Sequence, residues 1–200
     1  MATEEINKYY SETINRTVRE DLIIATDLVG SDKIALDCGC GAGTDISFLR
    51  AKGFIVYAFD IEEQSINICR EQFKHDEKVF LSQDSFSSYD YPKSTLINAD
   101  ASLFYCTETE FSSVWDNIYD SLQPDGIFCG SFLGPDDQMA KPDYNKQAYW
   151  SDVMVFEESE LRLKLKRFEL IKFAEHNISG LTPTGAPHRW HIYSVVAKKI

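Results

Sequence analysis

The sequence predicts an α/β protein in which helices cover both faces of a mostly parallel sheet, giving three layers. Short apolar runs typical of buried strands alternate along the chain with segments whose apolar residues recur at helical spacing. A glycine-rich turn joins the first predicted strand, residues 33–38, to a helix that begins at Thr44 or Asp45. Strand, glycine turn and helix together form the frame of a nucleotide-binding site.

The remaining predicted elements continue this alternation. Apolar residues at helical spacing between positions 4 and 28 predict one or two amphipathic helices before the first strand. Glycine and proline predict a loop over residues 177–187, and a polar, aromatic insert occupies residues 134–156. The other strands are predicted at residues 54–60, 78–83, 94–99, 127–133, 168–176 and 190–198, and the other helices at 61–73, 110–122 and 157–167.

Size and charge limit the classes of function. A chain of 200 residues with 44% hydrophobic content suits a single domain, 1–200. Its net charge of −12, from 32 acidic and 20 basic residues, disfavours a nucleic-acid partner. No run approaches the roughly 20 apolar residues of a membrane span, and the start of the chain is acidic where a signal peptide would be basic. We therefore expect a cytoplasmic protein without a membrane partner, whose five cysteines are free thiols.

The first glycine turn offers exposed backbone to a ligand. Gly39, Gly41 and Gly43 can adopt positive φ and have no Cβ, so a ligand can lie directly against them at the end of the first strand. A dinucleotide site of the form G-x-G-x-x-G would need glycine at position 44, where this chain has Thr44. The pattern is instead D-x-G-x-G-x-G, opened by Asp37.

This pattern resembles motif I of the class I S-adenosylmethionine-dependent methyltransferases. Three later segments carry the same resemblance: LINADASLFYC at 96–106, LQPDGIF at 122–128, which is similar to an L-x-P-G-G turn, and HRWHIYSVVAKK at 188–199. They are similar to the small, single-domain members grouped with tellurite-resistance methyltransferases. The resemblance implies a Rossmann-like, seven-stranded sheet of order 3-2-1-4-5-7-6 in which strand 7 is antiparallel.

Asp60 is a second cue to an adenosyl ligand. It ends the second predicted strand 23 residues after Asp37, near the roughly 20-residue offset at which a carboxylate accepts hydrogen bonds from ribose hydroxyls. Taken alone, Asp60 could be an ordinary exposed residue at a strand end. The resemblance implies a site for S-adenosylmethionine, with S-adenosylhomocysteine as product. The implied cofactor contacts are Asp37, Gly39, Cys40, Gly41, Gly43, Asp60, Ile61, Asp84, Ser85, Phe86, Asn98 and Ala99, with Tyr10 and Arg16 of the leading segment.

The resemblance also distributes roles within this set. It places Asp37 near the amino-acid portion of the cofactor, Asp60 at the ribose, residues 84–86 at the adenine, and Asn98 and Ala99 at the methyl end. Two assignments have simpler alternatives. Asp84 lies among serines and can be a turn residue, and the pair Tyr9-Tyr10 can belong to a packing helix with half-buried tyrosines.

Candidate catalytic groups are Asp100, Tyr105 and His191, each of which also has a structural interpretation. A general base is needed for some acceptors only: a thiolate or an oxyanion needs none, whereas a hydroxyl usually does. We expect no metal site, because His188 and His191 are three residues apart on a predicted strand and therefore point to opposite faces.

The sequence thus predicts a methyltransferase that transfers a methyl group to a small molecule by in-line displacement, as a monomer or homodimer. The insert at 134–156, with Tyr144, Tyr149 and Trp150, is expected to form part of a substrate lid, and segment 1–30 is expected to be helical. Two alternatives stay open: a protein that binds S-adenosylmethionine or S-adenosylhomocysteine without catalysis and, against the spacing at Thr44, a Rossmann oxidoreductase.

Overall fold

One sheet organises the structure, a computed structural model that describes residues 3–14, 16–142, 144, 153–182 and 185–200. Its strands are β1 (Ile34–Cys38), β2 (Ile55–Asp60), β3 (Val79–Gln83), β4 (Ser94–Ala99), β5 (Leu122–Leu133), β6 (Phe168–Leu181) and β7 (Pro187–Lys199). The helices are α1 (Thr3–Thr13), α2 (Glu20–Leu28), α3 (Thr44–Ala51), α4 (Glu63–Gln72), α5 (Glu108–Ser121) and α6 (Glu158–Lys164). Short 3-10 turns lie at Leu103–Tyr105, Gln138–Ala140 and Leu165–Arg167.

The strand order is β3-β2-β1-β4-β5-β7-β6, as predicted. Strands β1 to β5 pair in parallel, whereas β7 is antiparallel to both β5 and β6. The predicted fold class is therefore confirmed. Because parallel strands end at the same edge of a sheet, the loops that follow β1, β2, β3, β4 and β5 meet at one carboxyl edge.

The loop predicted over residues 177–187 is wrong in extent. Strands β6 and β7 pair from Phe168 opposite Lys199 to Leu181 opposite Pro187, so most of that segment belongs to a long hairpin. The turn itself is short: Thr182 N–H donates to Ala186 O at 2.8 Å, and Gly185 has φ +89°. Glycine and proline usually indicate loops, but Gly180 and Pro187 lie at positions where the hairpin accommodates them.

Two cores on opposite faces of the sheet complete the three layers. Helices α2, α3 and α4 cover one face, with buried side chains such as Leu22, Ile46 and Ile66. Helices α5 and α6 cover the other face, where aromatic rings pack edge to face, for example Trp115 on Phe128 at 5.0 Å between centroids. None of the helices in the described ranges is long and apolar enough to cross a membrane.

Phe132→Ala should destabilise the fold strongly. Phe132 is fully buried between Trp115 and Phe156, with ring centroids 5.9 and 5.7 Å away, and truncation of a buried phenylalanine costs about 3–5 kcal/mol. Urea unfolding followed by circular dichroism measures the loss. Leu163→Ala, at a side chain 69% exposed, is the control and should change stability by less than about 0.5 kcal/mol. Equal losses in the two variants would contradict this description of the core.

Candidate functional site

The glycine turn after β1 is fixed to the end of β2. The backbone N–H groups of Gly39 and Cys40 both donate to Phe59 O, at 2.8 and 3.1 Å. Gly39 has φ +76°, and a Cβ there would lie 2.5 Å from the Cβ of Ser102. Glycine is therefore required at this position by conformation and by space together. Ser102 in turn donates to Cys38 O at 2.6 Å, which ties the segment after β4 to the end of β1.

Gly41 presents open backbone beside Asp60. Its N–H donates to Asp60 Oδ2 at 2.9 Å, while Glu62 N–H donates to Asp60 Oδ1 at 3.0 Å. Its carbonyl accepts from Ser65 Oγ at 2.6 Å. A Cβ built on Gly41 would meet nothing within 4 Å. The turn is thus held from the β2 side, and the space in front of Gly41 is free for a ligand.

Asp37, Asp45 and Asn98 form a buried polar cluster at the ends of β1 and β4. Asn98 Nδ2 donates to Asp37 Oδ1 at 2.8 Å and to Asp45 Oδ2 at 3.2 Å. The side chains are almost fully buried, with 2%, 7% and 1% exposure. Among the described residues, Asp37 Oδ2, Asp45 Oδ1 and Asn98 Oδ1 have no hydrogen-bond partner. Buried acceptors without partners are costly, so the cluster is suited to receive a donor.

The guanidinium of Arg16 lies beside the carboxylates of Asp37 and Asp45. Arg16 Nη2 lies 2.6 Å from Asp45 Oδ2. Burial, and secondly the charge of Asp45, raises the pKa of Asp37 to about 8. Burial also raises the pKa of Asp45, although Arg16 acts in the opposite direction. At neutral pH the cluster therefore holds a proton that an additional cation would displace.

The segment between α1 and α2 lies against this cluster. Thr44 Oγ1 donates to Thr13 O and Ile14 O, at 2.8 and 3.1 Å. Arg19 forms an ion pair with Asp100, the residue that follows β4. Local sequence patterns do not indicate Asp45 or Arg19 as site residues. Asp45 was interpreted only as a helix cap, and no local signal pairs Arg19 with a residue 81 positions away.

Tyr10 and Tyr9 of α1 lie near the same edge. Tyr10 is 5% exposed, and burial, followed by the charges of Asp60 and Glu62, raises its pKa. Burial also raises the pKa of Tyr9, with a smaller contribution from Asp100. The structure thus brings Tyr10 and Arg16 to the predicted site.

The segment after β3 meets the end of β2. Asp84 N–H donates to Asp60 O at 3.1 Å. The Asp84 carboxylate accepts from the hydroxyls of Ser82 and Ser88, which is the geometry of the turn alternative. Phe86 packs edge to face on Phe59, with centroids 5.3 Å apart. The neighbouring Ser85 is partly exposed and bonds to serines, and Ile61, 58% exposed, follows Asp60.

Two of the three candidate catalytic residues lie just beyond β4. Asp100 is paired with Arg19, and the next residue, Ala101, has φ +50° and donates its N–H to Ser131 Oγ at 2.8 Å. Tyr105 is half-buried and contacts Phe104, with centroids 4.6 Å apart. Asn98 and Ala99, which precede Asp100, are buried.

His191 lies elsewhere and has both ring nitrogens engaged. The backbone N–H of Asp136 donates to His191 Nδ1 at 3.0 Å, so the proton resides on Nε2, which lies 2.9 Å from Glu175 Oε1. Neither nitrogen is then free to accept a proton, which does not suit a general base. His188 instead contacts Asp137 Oδ1 at 3.1 Å. No group of three or more potential metal ligands occurs among the described residues.

Part of the predicted lid lies outside the described residues. Tyr149 and Trp150 belong to this undescribed part, whereas Tyr144 packs near Trp190 and His188. Before it, Asp137 is fully buried and accepts from Met139 N–H at 2.9 Å and His191 N–H at 2.9 Å. The first residues of the insert are therefore fastened to β7.

Residues 35–126 match the family model of a methyltransferase domain. This span, just under half of the chain, runs from β1 into β5 and includes the glycine turn, Asp60 and the Asp37–Asn98 cluster. This match and the strand order both agree with the predicted resemblance to the class I S-adenosylmethionine-dependent methyltransferases.

Solved structures with the same fold include several methyltransferases. TehB from Haemophilus influenzae superposes with a TM-score of 0.76 at 19% identity, over 98% of this chain and 67% of that one. The 1,6-didemethyltoxoflavin-N1-methyltransferase of Burkholderia thailandensis, solved with 1,6-didemethyltoxoflavin and S-adenosylhomocysteine, gives 0.66 at 18% identity, over 98% and 86%. The N-methyltransferase NodS of Bradyrhizobium japonicum WM9, in complex with S-adenosylhomocysteine, gives 0.68 at 12% identity, over 98% and 97%. A search of curated protein sequences found no match.

Asp37→Asn should make stability less dependent on pH. A carboxyl whose pKa rises on folding from 3.8 to about 8 favours the folded state at low pH, and this contribution is lost as pH rises through that window. Relative to wild type, the variant should therefore gain stability between pH 5 and 8, by more than about 1.4 kcal/mol since the shift exceeds one unit. Urea midpoints across this range measure the difference. The control Asp116→Asn, at an exposed carboxylate, should show the same dependence of the urea midpoint on pH as wild type. If Asp37→Asn also shows this dependence, the raised pKa of Asp37 is contradicted.

Proposed function

We propose that this methyltransferase transfers a methyl group from S-adenosylmethionine to a small-molecule acceptor, and that the carboxyl edge of the sheet is its active site. The observation that carries the proposal is the set of three buried, unpartnered acceptors on Asp37, Asp45 and Asn98, next to the open backbone of Gly41. Both features fit an adenosyl amino acid, because its ammonium is a donor and its adenosyl part needs space against the turn.

The amino-acid end of the cofactor would meet Asp37, Asp45 and Arg16. The cluster has two carboxylates and one guanidinium, so an ammonium supplies the second positive charge. The same guanidinium can pair with the cofactor carboxylate, since arginine holds carboxylates in a two-pronged arrangement. A zwitterion thus matches the charges that the chain provides.

The adenosyl end would lie along residues 39–43 and Asp60. Backbone donors from Gly41 and Glu62 hold the Asp60 carboxylate in place, and each of its oxygens keeps a lone pair for a ribose hydroxyl. We assign Ile61 and residues 84–86 to the adenine, and Gly39, Cys40 and Gly43 to backbone contact. The contact with Cys69 and, secondly, burial raise the pKa of the Cys40 thiol. This cysteine therefore fills space in the turn and does not act as a nucleophile.

The remaining work of the chain is orientation and exclusion of water. When bound, S-adenosylmethionine supplies a methyl group already activated on a sulfonium. Asn98 and Ala99 would line the methyl end, and Tyr10 would cover it from α1. Asp100, held by Arg19, is a candidate to receive a proton from an acceptor that carries one. Alignment of this kind lowers the barrier without a covalent intermediate.

A small molecule is the acceptor that the chain favours. Its net charge of −12 opposes a nucleic acid. The 1,6-didemethyltoxoflavin-N1-methyltransferase, which shares this fold, was solved with 1,6-didemethyltoxoflavin bound. We assign the insert at 134–156 to the acceptor side, where it would form part of a lid.

S-Adenosylhomocysteine should raise the melting temperature of the protein, and NADH should not. A ligand at about 100 times its Kd stabilises the folded state by about 2.7 kcal/mol. Asp60→Ala should weaken the effect at least tenfold, because the ribose contact and the anchor of Gly41 are both lost. Asp116→Ala, far from the carboxyl edge, is the matched control. An unchanged melting-temperature shift in Asp60→Ala would show that Asp60 does not contact the ligand. No shift in wild type would contradict the proposed function.

Gly41→Ala should reduce binding more than stability. Its methyl group would project into the space assigned to the cofactor, while a positive φ costs a non-glycine residue about 1–2 kcal/mol. Gly185→Ala is the matched control, since Gly185 also has positive φ and open space around a Cβ but lies in the hairpin turn. Isothermal titration with S-adenosylhomocysteine should show at least tenfold weaker binding for Gly41→Ala only. Equal affinities would place the ligand elsewhere.

A further inference from the structure

An aromatic surface adjoins the proposed methyl end. Phe104, Leu133, Met139 and Ile192 form a small buried core, and Tyr105, Tyr144 and Trp190 pack around it half-buried. We call these seven residues the acceptor-side cluster. Two of its rings lie beside the imidazole of His188. The ring centroid of Trp190 is 3.9 Å, and that of Tyr144 is 6.5 Å, from the centroid of this imidazole.

The acceptor-side cluster belongs to the carboxyl edge. Ala101, which packs against it, directly follows Asp100. Met154 N–H donates to Phe104 O at 2.7 Å, so the end of the insert lies against the same turn. Leu133 ends β5 and is paired with Ile192 of β7. A molecule beside the methyl end would therefore face aromatic rings on this side.

In the described part of the chain, the cations that reach this edge all form ion pairs, although Lys141 and Arg189 share one carboxylate. Arg16 is paired with Asp45, and Arg19 with Asp100. The other pairs are Lys141 with Asp136 at 3.6 Å, and Arg189 with the same carboxylate at 3.6 Å. An anionic acceptor would have to break one of these pairs to gain a counter-ion.

Carboxylates, by contrast, exceed the cations here. In the described part of the chain, Asp60, which ends β2, and Asp84, which follows β3, form no ion pair, whereas Asp37 of β1 belongs to the cluster that holds a proton. Their field attracts positive charge and repels negative charge, and a recessed site of low dielectric strengthens the effect. Aromatic faces also attract cations.

We infer, on the basis of the proposed function, that the acceptor is a flat aromatic molecule that is neutral or positively charged, and not an oxyanion. The acceptor-side cluster supplies stacking surface, and the excess of carboxylates at the edge selects against negative charge. Trp190 and Tyr105 are then determinants of acceptor binding that leave cofactor binding alone.

A matched pair of probes tests this inference on the full chain saturated with S-adenosylhomocysteine. 4-Aminoquinoline is protonated at neutral pH, and quinoline-4-carboxylate has the same ring with a negative charge. Tryptophan fluorescence and thermal shift should show at least tenfold tighter binding of the amine, and no binding of tellurite. Cyclohexylamine, a cation without a ring system, should bind at least tenfold more weakly than the amine.

Variants connect the probe to the cluster. Trp190→Ala and Tyr105→Ala should each weaken 4-aminoquinoline at least tenfold while the response to S-adenosylhomocysteine, which also reports folding, stays unchanged. The control Phe80→Ala, at an exposed ring on β3, should change neither the binding of 4-aminoquinoline nor the response to S-adenosylhomocysteine. If S-adenosylhomocysteine itself does not bind, the proposed function fails and the inference with it. If it binds, but the carboxylate or tellurite binds as well as the amine, or the amine does not bind, only the inference is overturned.

Discussion

The parallel register of β1 and β4 is the constraint on which the site depends. It sets Asp37 opposite Asn98, so one amide group donates to two carboxylates that would otherwise repel each other without a shared partner. Burial of such a pair beside a single guanidinium is unfavourable in itself. The well-packed cores on both faces of the sheet must therefore offset this cost, and the site is held in a rigid setting as a result.

The chain brings groups to this edge from two directions. The glycine turn and Asp60 come from the sheet, and their positions follow from backbone hydrogen bonds between adjacent loops. Arg16 and Arg19 come from the segment before β1, through ion pairs and the hydrogen bonds that Thr44 donates to Thr13 O and Ile14 O. Because side-chain contacts hold the second set and backbone hydrogen bonds hold the first, the second set is held less firmly than the first. Adjustment to a ligand is thus expected on the side of the leading segment.

Local patterns in the sequence were enough to predict most of the elements and to select the turn at Gly39 and Asp60 as candidate site residues. The alternation of strands and helices, the turn at Gly39 and the position of Asp60 each depend on residues close in sequence. Asp45 and Arg19 could not be assigned in this way, because their roles arise from partners 53 and 81 residues further along the chain. The long hairpin was missed for a related reason: cross-strand pairing holds Gly180 in extended backbone that its own propensity does not favour.

Strand β7 has a consequence for how the protein is made. It follows every other strand in the chain yet lies between β5 and β6 in the sheet. A ribosome adds about 5–20 residues per second. Until β7 has been synthesised, β6 lacks the strand with which it pairs in the described sheet, and the β7 side of β5 stays exposed. The half of the sheet from β3 to β5 can assemble earlier, since its parallel pairings involve residues already synthesised. The second half of the sheet is therefore incomplete, with exposed strand edges, for longer than the first half.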